Sequence, residues 1–394
     1  MSSRIIAGIC ALTVLGMLPI SHLSAQEKQA QQTTVEKEAQ PSKSYTSTAG
    51  IEDKAQDQLL NDGASETKSP TQPNAPAYRF PNRWFEVDTA VFGIRPRLIT
   101  NSQGVGTAQL QFKLEFKGHF KFDKADNFSI HVGIASGDNF KGGWNTTGVG
   151  VGKFNPDLNI KILYFSARLN KRAQFQVGGL PLGRQCGLST EATCYDDDAY
   201  MVGQRGIIDW PEKLYFDRVE ITSGHIGVSE QPNVFRRLSQ LNDFNFIQLT
   251  GVKRIGERAS LSLSYASEAG AQTLRQAIEV RDKLPFADSV LFEAYQRLDL
   301  NPDAGFAITF KKKLFKNFEL KSGYAQIDRA GCVFNGDRYG CGKQVFFTGA
   351  YKINEWIEVE TFGKHAIGNS YPLSNRTRID VVVKFDLARW LKLN

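Results

Sequence analysis

The stretch Ala108-Gln109-Leu110-Gln111-Phe112-Lys113-Leu114-Glu115-Phe116-Lys117 alternates apolar and polar side chains without a break. Because successive side chains of a β-strand point to opposite faces, it predicts a strand with one apolar and one polar face. A polar turn at residues 123–127 follows, and every second residue from 128 to 134 is again apolar. The sequence therefore predicts a β-hairpin whose strands have about the ten residues that a tilted membrane strand needs.

Four further hairpins follow the same plan. Their short turns are predicted at residues 170–172, 253–258, 314–317 and 354–355, and longer segments rich in Gly, Asn and Asp separate them. Short turns at one end and long loops at the other are typical of outer-membrane barrels, whose short turns face the periplasm. The pattern predicts an all-β fold, a transmembrane antiparallel up-and-down β-barrel of about 16 strands (range 14 to 18). A soluble β-sandwich or β-helix is the alternative, since short apolar runs are ambiguous.

Three segments fit this plan less well. Residues 181–211 are predicted to form a long loop, and a strand pair is placed around residues 214–239, where the alternation is weakest. After the last predicted strand, residues 379–385, the chain continues through Arg389-Trp390-Leu391-Lys392-Leu393-Asn394. This ending resembles one of the predicted turns, so the sequence leaves open a further strand.

The N-terminal residues predict export. Arg4 precedes an apolar run over residues 5–20, and Ser24-Ala25 offers a small-residue cleavage site, which is the layout of a signal peptide. Residues 26–78 are polar and poor in aromatic residues, so they cannot bury enough apolar surface to fold. We therefore predict a signal peptide over residues 1–25, a disordered periplasmic linker over 26–78 and an outer-membrane barrel over 79–394.

Charge is unevenly distributed along the chain. The net charge is +7, and subtracting the +1 of residues 1–25 and the −3 of residues 26–78 leaves +9 for residues 79–394. A basic barrel attracts anionic partners. Since the chain is predicted to be exported, nucleic acid is excluded, and the expected partners are outer-membrane lipid, lipopolysaccharide and small solutes.

Four cysteines follow the predicted signal peptide, in two close pairs. Cys186 and Cys194 bracket one polar segment, and Cys332 and Cys341 bracket another. In an oxidising compartment such pairs predict two local disulfides, Cys186–Cys194 and Cys332–Cys341. The alternative, a four-cysteine zinc site, requires tighter spacing than these pairs have, and neither a metal nor a cofactor is predicted.

The polar faces of the predicted strands supply the candidate pore lining. It consists of Lys113, Lys117, His119, Lys121, His131, Arg168, Arg378 and Lys384. The alternative is that these are ordinary solvated wall charges of both signs.

The segment at residues 181–211 is the candidate constriction loop. Folded into the barrel, such a loop would set acids against bases across the channel. Its candidate residues are Arg184, Asp196, Asp197, Asp198 and Arg205. The alternatives are an ordinary exposed acidic loop or, for the three aspartates, a calcium site.

No catalytic residues are predicted. The chain lacks the Gly-x-Ser-x-Gly and His-Glu-x-x-His motifs and a phosphate-binding loop. A barrel hydrolase remains an alternative, and it would use His365 and Ser370, although no acidic residue is evident to orient the histidine.

The region over residues 79–394 resembles bacterial outer-membrane porins, most closely the phosphate-selective group and next the alginate-export-like barrels. The likeness rests on the signal peptide, the hairpin rhythm and the segment from Leu188-Ser189-Thr190 to Tyr200-Met201-Val202-Gly203-Gln204-Arg205. The resemblance implies passive diffusion of small hydrophilic or anionic solutes through a homotrimer. A non-conducting structural or adhesive barrel is the alternative from another functional class.

Overall fold

The structure, a computed structural model, describes residues 84–393, except residues 102, 124, 138–143, 145–147, 151–156, 183–185, 196–199, 211–213, 227–230, 283, 300–303, 329–337 and 369–374. The signal peptide and linker predicted for residues 1–78 lie outside this range. The strands are β1 Phe85–Asn101, β2 Gly106–Lys121, β3 Phe128–Ser136, β4 Gly148–Val149, β5 Leu158–Leu169, β6 Ala173–Pro181, β7 Tyr200–Asp209, β8 Arg218–His225, β9 Phe246–Ile255, β10 Ala259–Glu268, β11 Ala271–Arg281, β12 Ser289–Arg297, β13 Ala304–Phe315, β14 Phe318–Ile327, β15 Gly342–Lys352, β16 Ile357–Ala366 and β17 Asn375–Asp386.

The strands form one closed antiparallel barrel. Each long strand pairs with the next along the chain, and β17 pairs with β1 to close the sheet. The two-residue strand β4 pairs only with β2, beyond the end of β3, so the closed wall contains 16 strands. The predicted fold class is confirmed.

Alternation decides which face of each strand points inward. In β2, Gln111, Lys113 and Glu115 are buried, whereas Leu110 and Phe120 on the other face are exposed. In β17, Arg378 and Asp380 are buried on either side of the exposed Ile379. Because the wall is closed, the buried polar face is the interior and the exposed apolar face is the outside.

The two ends of the barrel differ in their connections. We call the end at which β2 turns into β3 the turn end, and the opposite one the loop end. The turn-end connections include residues 170–172, 256–258, 316–317 and 353–356, at the sites that the sequence predicts. Connections at the loop end differ in length: the β10–β11 connection consists of residues 269–270 only, whereas the β8–β9 connection spans residues 226–245. The loop-end connections are therefore not uniformly long.

The prediction for residues 181–211 was partly wrong. Residues 200–209 form β7, and its antiparallel partner β8 spans residues 218–225, so the strand pair lies earlier than the predicted 214–239. Strands β7 and β8 together carry three glycines, at residues 203, 206 and 224, which interrupt the alternation of large side chains. Glycine is depleted in strands, and this explains why the pattern favoured a loop there.

Exposed aromatic side chains surround the turn end. They belong to strand ends, to turns and to the C-terminal segment, so they come from all around the wall. The set is Trp84, Phe122, Phe128, Phe175, Tyr215, Phe286, Phe315, Tyr351, Trp356 and Trp390.

The C-terminal segment packs on the turn end of the barrel. After β17 the chain forms a single helical turn, α1 Leu387–Trp390, which Asp386 caps by accepting from the Arg389 N–H. Ala388 is buried against Val87 and Ala90 of β1. The open question of a further strand is answered, because β17 already pairs with β1. Among the described residues, no helix has the length and apolar character that a membrane crossing requires.

Candidate functional site

One side of the interior, which we call the charged wall, is built by β1, β2 and β17. Asp380 of β17 lies 3.1 Å from Arg97 Nε and 3.9 Å from Arg95 Nη1, measured from its nearer carboxylate oxygen in each case. Arg378 Nε donates to both carboxylate oxygens of Asp380 at 3.0 Å. Three guanidinium groups therefore share one carboxylate, and the cluster carries an excess of positive charge.

The charged wall continues along β2. The Glu115 carboxylate lies between two ammonium groups, 2.8 Å from Lys113 Nζ and 2.5 Å from Lys117 Nζ. Alternate residues of one strand share a face, so Lys113, Glu115 and Lys117 form a row along the strand. Here too, two cations share one anion.

A tryptophan from the β3–β5 connection covers part of the charged wall. Trp144 is fully buried, and the Arg95 guanidinium lies 4.7 Å from its ring centroid. The Trp144 carbonyl accepts from Gln111 Nε2 at 3.2 Å. The ring lies over Gly93, where an added Cβ would come within 2.7 Å of it. A side chain at position 93 would therefore displace the indole from the wall.

The opposite side of the interior, which we call the hydroxyl wall, is built by β8, β9 and β10. Gln248 Nε2 donates to Ser264 Oγ at 2.7 Å, and Thr250 Oγ1 donates to the same oxygen at 3.0 Å. Thr222 and Ser262 are also buried on this wall. Its inner face is thus made largely of short neutral side chains.

Residues 186–195, which we call the inner loop, lie inside the barrel. They belong to the β6–β7 connection, and the Cys186–Cys194 disulfide joins the two ends of the segment. The Leu188 N–H donates to Ser262 Oγ of β10 at 3.1 Å. Since that oxygen belongs to the hydroxyl wall, the loop reaches across from β6 to the inner face of β10.

The strongest attachment of the inner loop is to Glu293 of β12. The Thr190 N–H and hydroxyl donate to this carboxyl at 2.7 and 2.6 Å, and the Thr193 hydroxyl donates at 2.6 Å. Arg275 Nε of β11 donates to the Thr193 carbonyl at 3.0 Å. Tyr195 donates to Glu268 at 2.8 Å, and burial raises the pKa of the Tyr195 phenol.

The inner loop also contacts the next part of the wall. Glu191 lies 3.9 Å from Arg338, and Arg338 Nη2 donates to Glu360 of β16 at 2.6 Å. Lys384 of β17 binds the other oxygen of Glu360 at 2.7 Å. A chain of alternating charges therefore connects the inner loop to the edge of the charged wall.

The structure brings together most of the predicted pore-lining residues. Lys113, Lys117, Arg378 and Lys384 lie in the charged wall and its continuation. Towards the turn end, Lys121 Nζ binds Glu86 at 2.6 Å, and the His119 and His131 rings stack with centroids 5.0 Å apart. Arg168 stands apart, exposed at the end of β5. Their role in permeation stays a prediction.

The predicted constriction residues are placed differently. Arg184 and Asp196, Asp197 and Asp198 lie outside the described residues. Arg205 was wrongly assigned to a loop. It lies in β7, where its guanidinium binds Glu220 at 3.1 Å and donates to the Pro181 carbonyl at 2.5 Å. Arg205 therefore supports the base of the β6–β7 connection from the wall.

Sequence reasoning missed several interior residues. Arg95 and Arg97 were not assigned to the lining, although they alternate with Pro96 and Leu98 on the exposed face. A strict two-residue periodicity applied to β1 would have found them. Glu293 had no such signal, because its role comes from the Thr190 and Thr193 hydroxyls far away in sequence.

The structure confirms one of the two predicted disulfides. Cys186–Cys194 is confirmed, with the two Cα atoms 6.2 Å apart. Cys341 is disulfide-bonded, but its predicted partner Cys332 lies outside the described residues. The pair Cys332–Cys341 stays a prediction.

Solved structures share this architecture. OmpF of Salmonella typhi, in complex with daunomycin, matches with a TM-score of 0.51 and 8% identity over 76% of this chain and 97% of that chain. This is the fold of a bacterial porin. OprB of Pseudomonas putida (TM-score 0.48, 9% identity, 77% of this chain, 92% of that chain) and a Rhodopseudomonas blastica porin mutant (0.46, 12%, 76%, 99%) also match. At these identities the porin likeness concerns the fold alone. By sequence, no protein family and no curated protein matches the chain.

Proposed function

We propose that this protein is an outer-membrane channel through which small hydrophilic solutes diffuse passively. The observation that carries the proposal is the inner loop lying within a closed barrel of porin fold, between a charged wall and a hydroxyl wall. A lumen lined by polar groups and narrowed by a folded segment conducts solutes according to their size and charge.

The outside of the barrel supports a membrane location. Exposed apolar side chains alternate with the buried polar ones, as for Ile247 and Leu249 around Gln248 of β9. The exposed aromatic residues at the turn end form the girdle expected at one membrane interface. We place the turn end in the periplasm, on the same side as the predicted linker over residues 26–78, which would follow cleavage of the signal peptide at residues 1–25.

An anion preference is the finer part of the proposal. Among the buried side chains of the described residues, eleven are Lys or Arg and six are Asp or Glu. Fixed positive charge in a confined lumen raises the local concentration of anions and lowers that of cations. Inorganic phosphate is the permeant suggested by the sequence resemblance to phosphate-selective porins, and the same resemblance suggests a homotrimer.

Planar-bilayer recording of the refolded full chain tests both parts of this proposal. We expect steady openings, and under a gradient of potassium chloride we expect a reversal potential of the sign that anion selectivity gives. Replacing chloride by phosphate should leave a measurable anion current. Replacing Lys113 by Gln should shift the reversal potential towards zero. The control Arg258→Gln, which removes an equal charge from an exposed turn, should not.

One observation favours a second candidate, a closed structural or adhesive barrel. Arg95, Arg97 and Arg378 are each at most 1% exposed, so the charged wall is covered rather than open to water. A correctly folded barrel, identified by its altered electrophoretic mobility after heating, that shows no conductance would establish this candidate and reject the channel.

We do not propose an enzyme. His365 Nδ1 bonds the Thr377 hydroxyl at 2.8 Å, and Ser370 lies outside the described residues. Esterase activity that disappears in His365→Ala would contradict this assignment.

A further inference from the structure

A row of four side chains crosses the inner wall near the turn end. In the register of the barrel, Glu86 of β1 is opposite His119 of β2, which is opposite His131 of β3, which is opposite Tyr164 of β5. Directly opposite residues of neighbouring strands point to the same face, with their Cβ atoms about 5 Å apart. Two imidazoles are therefore held side by side inside the barrel.

A β-bulge adds a carboxylate to this row. The pairing of β1 with β2 shifts between Val87 and Thr89, so Asp88 is the extra residue. Bulges re-aim side chains and occur beside functional sites. Here the bulge brings Asp88 Oδ1 to 2.9 Å from His119 Nδ1.

We propose that Asp88, His119 and His131 form a binding site for a divalent transition-metal ion of the zinc class. One ligand atom from each residue lies within 4.8 Å of the others. Two imidazole nitrogens and a carboxylate oxygen are a common protein ligand set for zinc, with bonds of about 2.0–2.2 Å. Donor atoms in a tetrahedral site are about 3.3 Å apart, so small side-chain rotations close the site.

The metal takes the place of a proton. His119 Nδ1 donates a hydrogen bond to Asp88 in the metal-free protein. A bound ion occupies the position between these two atoms, and the nitrogen that loses its proton becomes a ligand. Binding therefore releases a proton whenever the nitrogen starts protonated.

Neighbouring groups hold the ligands in position. The His131 ring stacks on Tyr164 with centroids 4.5 Å apart and planes 9° from parallel, and its Nε2 lies 3.1 Å from Ser129 Oγ. Contacts of this kind orient imidazole ligands and raise metal affinity. Glu86 Oε2 lies 3.6 Å from His119 Nε2, beside the ring nitrogen that faces away from the ion, where a carboxylate helps to orient the imidazole.

Lysines near the site balance this negative charge. Lys121 Nζ is bound to the other oxygen of Glu86 at 2.6 Å, and Lys117 Nζ is bound to Glu115 at 2.5 Å. Both ammonium groups are thus already engaged with carboxylates other than Asp88. The Asp88 carboxylate is consequently the anionic ligand of the site.

Zinc binding to the refolded full chain in detergent is the test, measured by equilibrium dialysis against zinc chloride. We expect one zinc ion per chain in the wild type. We expect at least tenfold weaker binding in Asp88→Asn, which removes the anionic ligand at an exposed bulge, and loss of the ion in His119→Gln with His131→Gln. The control His365→Gln removes an exposed imidazole at the loop end and should bind zinc as the wild type does.

Copper(II) in place of zinc gives a second readout, since electron paramagnetic resonance counts the nitrogens coordinated to the ion. Two nitrogens in the wild type support the site. Unchanged zinc affinity in both Asp88→Asn and the double variant, or no bound ion in the wild type, would overturn it. None of these measurements needs conduction, so a barrel that binds zinc but passes no current would count only against the proposed channel.

Discussion

The charged wall and the hydroxyl wall face each other across the same lumen but are built on opposite principles. The charged wall concentrates ions, with Arg95, Arg97 and Arg378 around the single carboxylate of Asp380. The hydroxyl wall is made largely of neutral side chains, with Gln248, Thr250 and Ser264 hydrogen-bonded to one another, and the Glu220 carboxylate of β8 is paired with Arg205 of β7. The two sides of one barrel interior thus differ in their chemistry.

The difference explains where the inner loop attaches. Its hydrogen bonds go to Ser262 of the hydroxyl wall and to the buried carboxyl of Glu293 beyond it, whose oxygens accept from the amide and hydroxyl groups of the loop. The Arg and Lys side chains of the charged wall carry only donors, so they offer no acceptor to the hydroxyl and amide groups of the loop. The loop therefore attaches to the acceptors of β10 and β12, while Trp144 covers Arg95 on the charged wall.

The largest effect is expected when the charged wall loses its carboxylate. Asp380→Asn keeps the size of the side chain but removes the charge that neutralises Arg97 and Arg378. Removing one partner of a buried ion pair costs about 3–5 kcal/mol. We expect the free energy of unfolding in urea, measured on the refolded barrel, to fall by about this amount.

Ser264→Ala on the hydroxyl wall is the matched variant. It removes an acceptor shared by Gln248 and Thr250, a loss of about 1 kcal/mol. Equal destabilisation by Asp380→Asn and Ser264→Ala would show that the two walls do not differ in the way described.

The second prediction concerns the attachment of the inner loop. Glu293→Ala removes the acceptor of three hydrogen bonds from Thr190 and Thr193. We expect the free energy of unfolding to fall by about 2 kcal/mol, and single-channel conductance to rise because the loop is released from β12.

Glu279→Ala serves as the control for this variant, since Glu279 lies on the neighbouring strand β11 and pairs with the partly exposed Arg281. We expect it to cost less than about 1 kcal/mol and to leave the conductance unchanged. A conductance that stays at the wild-type value in Glu293→Ala would mean that the inner loop does not limit the flow.

Much of the charged wall could be predicted from the sequence, because alternation alone places side chains on the inner face. Lys113, Lys117 and Arg378 were assigned in this way, and the rule also covers Arg95 and Arg97. The turns were predictable for the same reason, since they interrupt the alternation at regular intervals. The exception is β7, where glycines removed the side chains that carry the pattern.

Contacts between distant parts of the chain could not be predicted. The bond between Thr190 and Glu293 joins residues 103 positions apart, and no local pattern links them. The register between neighbouring strands cannot be predicted from a local sequence pattern either. His119 and His131 were each assigned to the lining, but only the pairing of β2 with β3 shows that they are opposite each other. The bulge at Asp88 shifts the outward apolar positions of β1 from odd to even numbers, but nothing in that shift shows that the extra carboxylate lies beside His119.

The smallest expected effect concerns Asp217, which lies at the turn end immediately before β8 of the hydroxyl wall. Partial burial raises the pKa of this carboxyl, but hydrogen bonds from Lys253 Nζ at 2.9 Å and from the Arg254 N–H at 2.6 Å outweigh that effect, so the pKa lies below its ordinary value.

A depressed folded-state pKa stabilises the protein above the unfolded value of about 3.9, and this stabilisation is lost as pH falls through the folded-state pKa. We expect Asp217→Asn to lower the free energy of unfolding by about 1 kcal/mol at pH 7, and we expect this difference from the wild type to shrink as pH falls through the lowered pKa of Asp217. Asp209→Asn removes a carboxylate that lies 3.6 Å from Arg218 across the same turn, and it should change stability by less than about 0.5 kcal/mol. If the difference between Asp217→Asn and the wild type persisted undiminished in acid, the hydrogen bonds to Lys253 and Arg254 would not depend on the charge of Asp217.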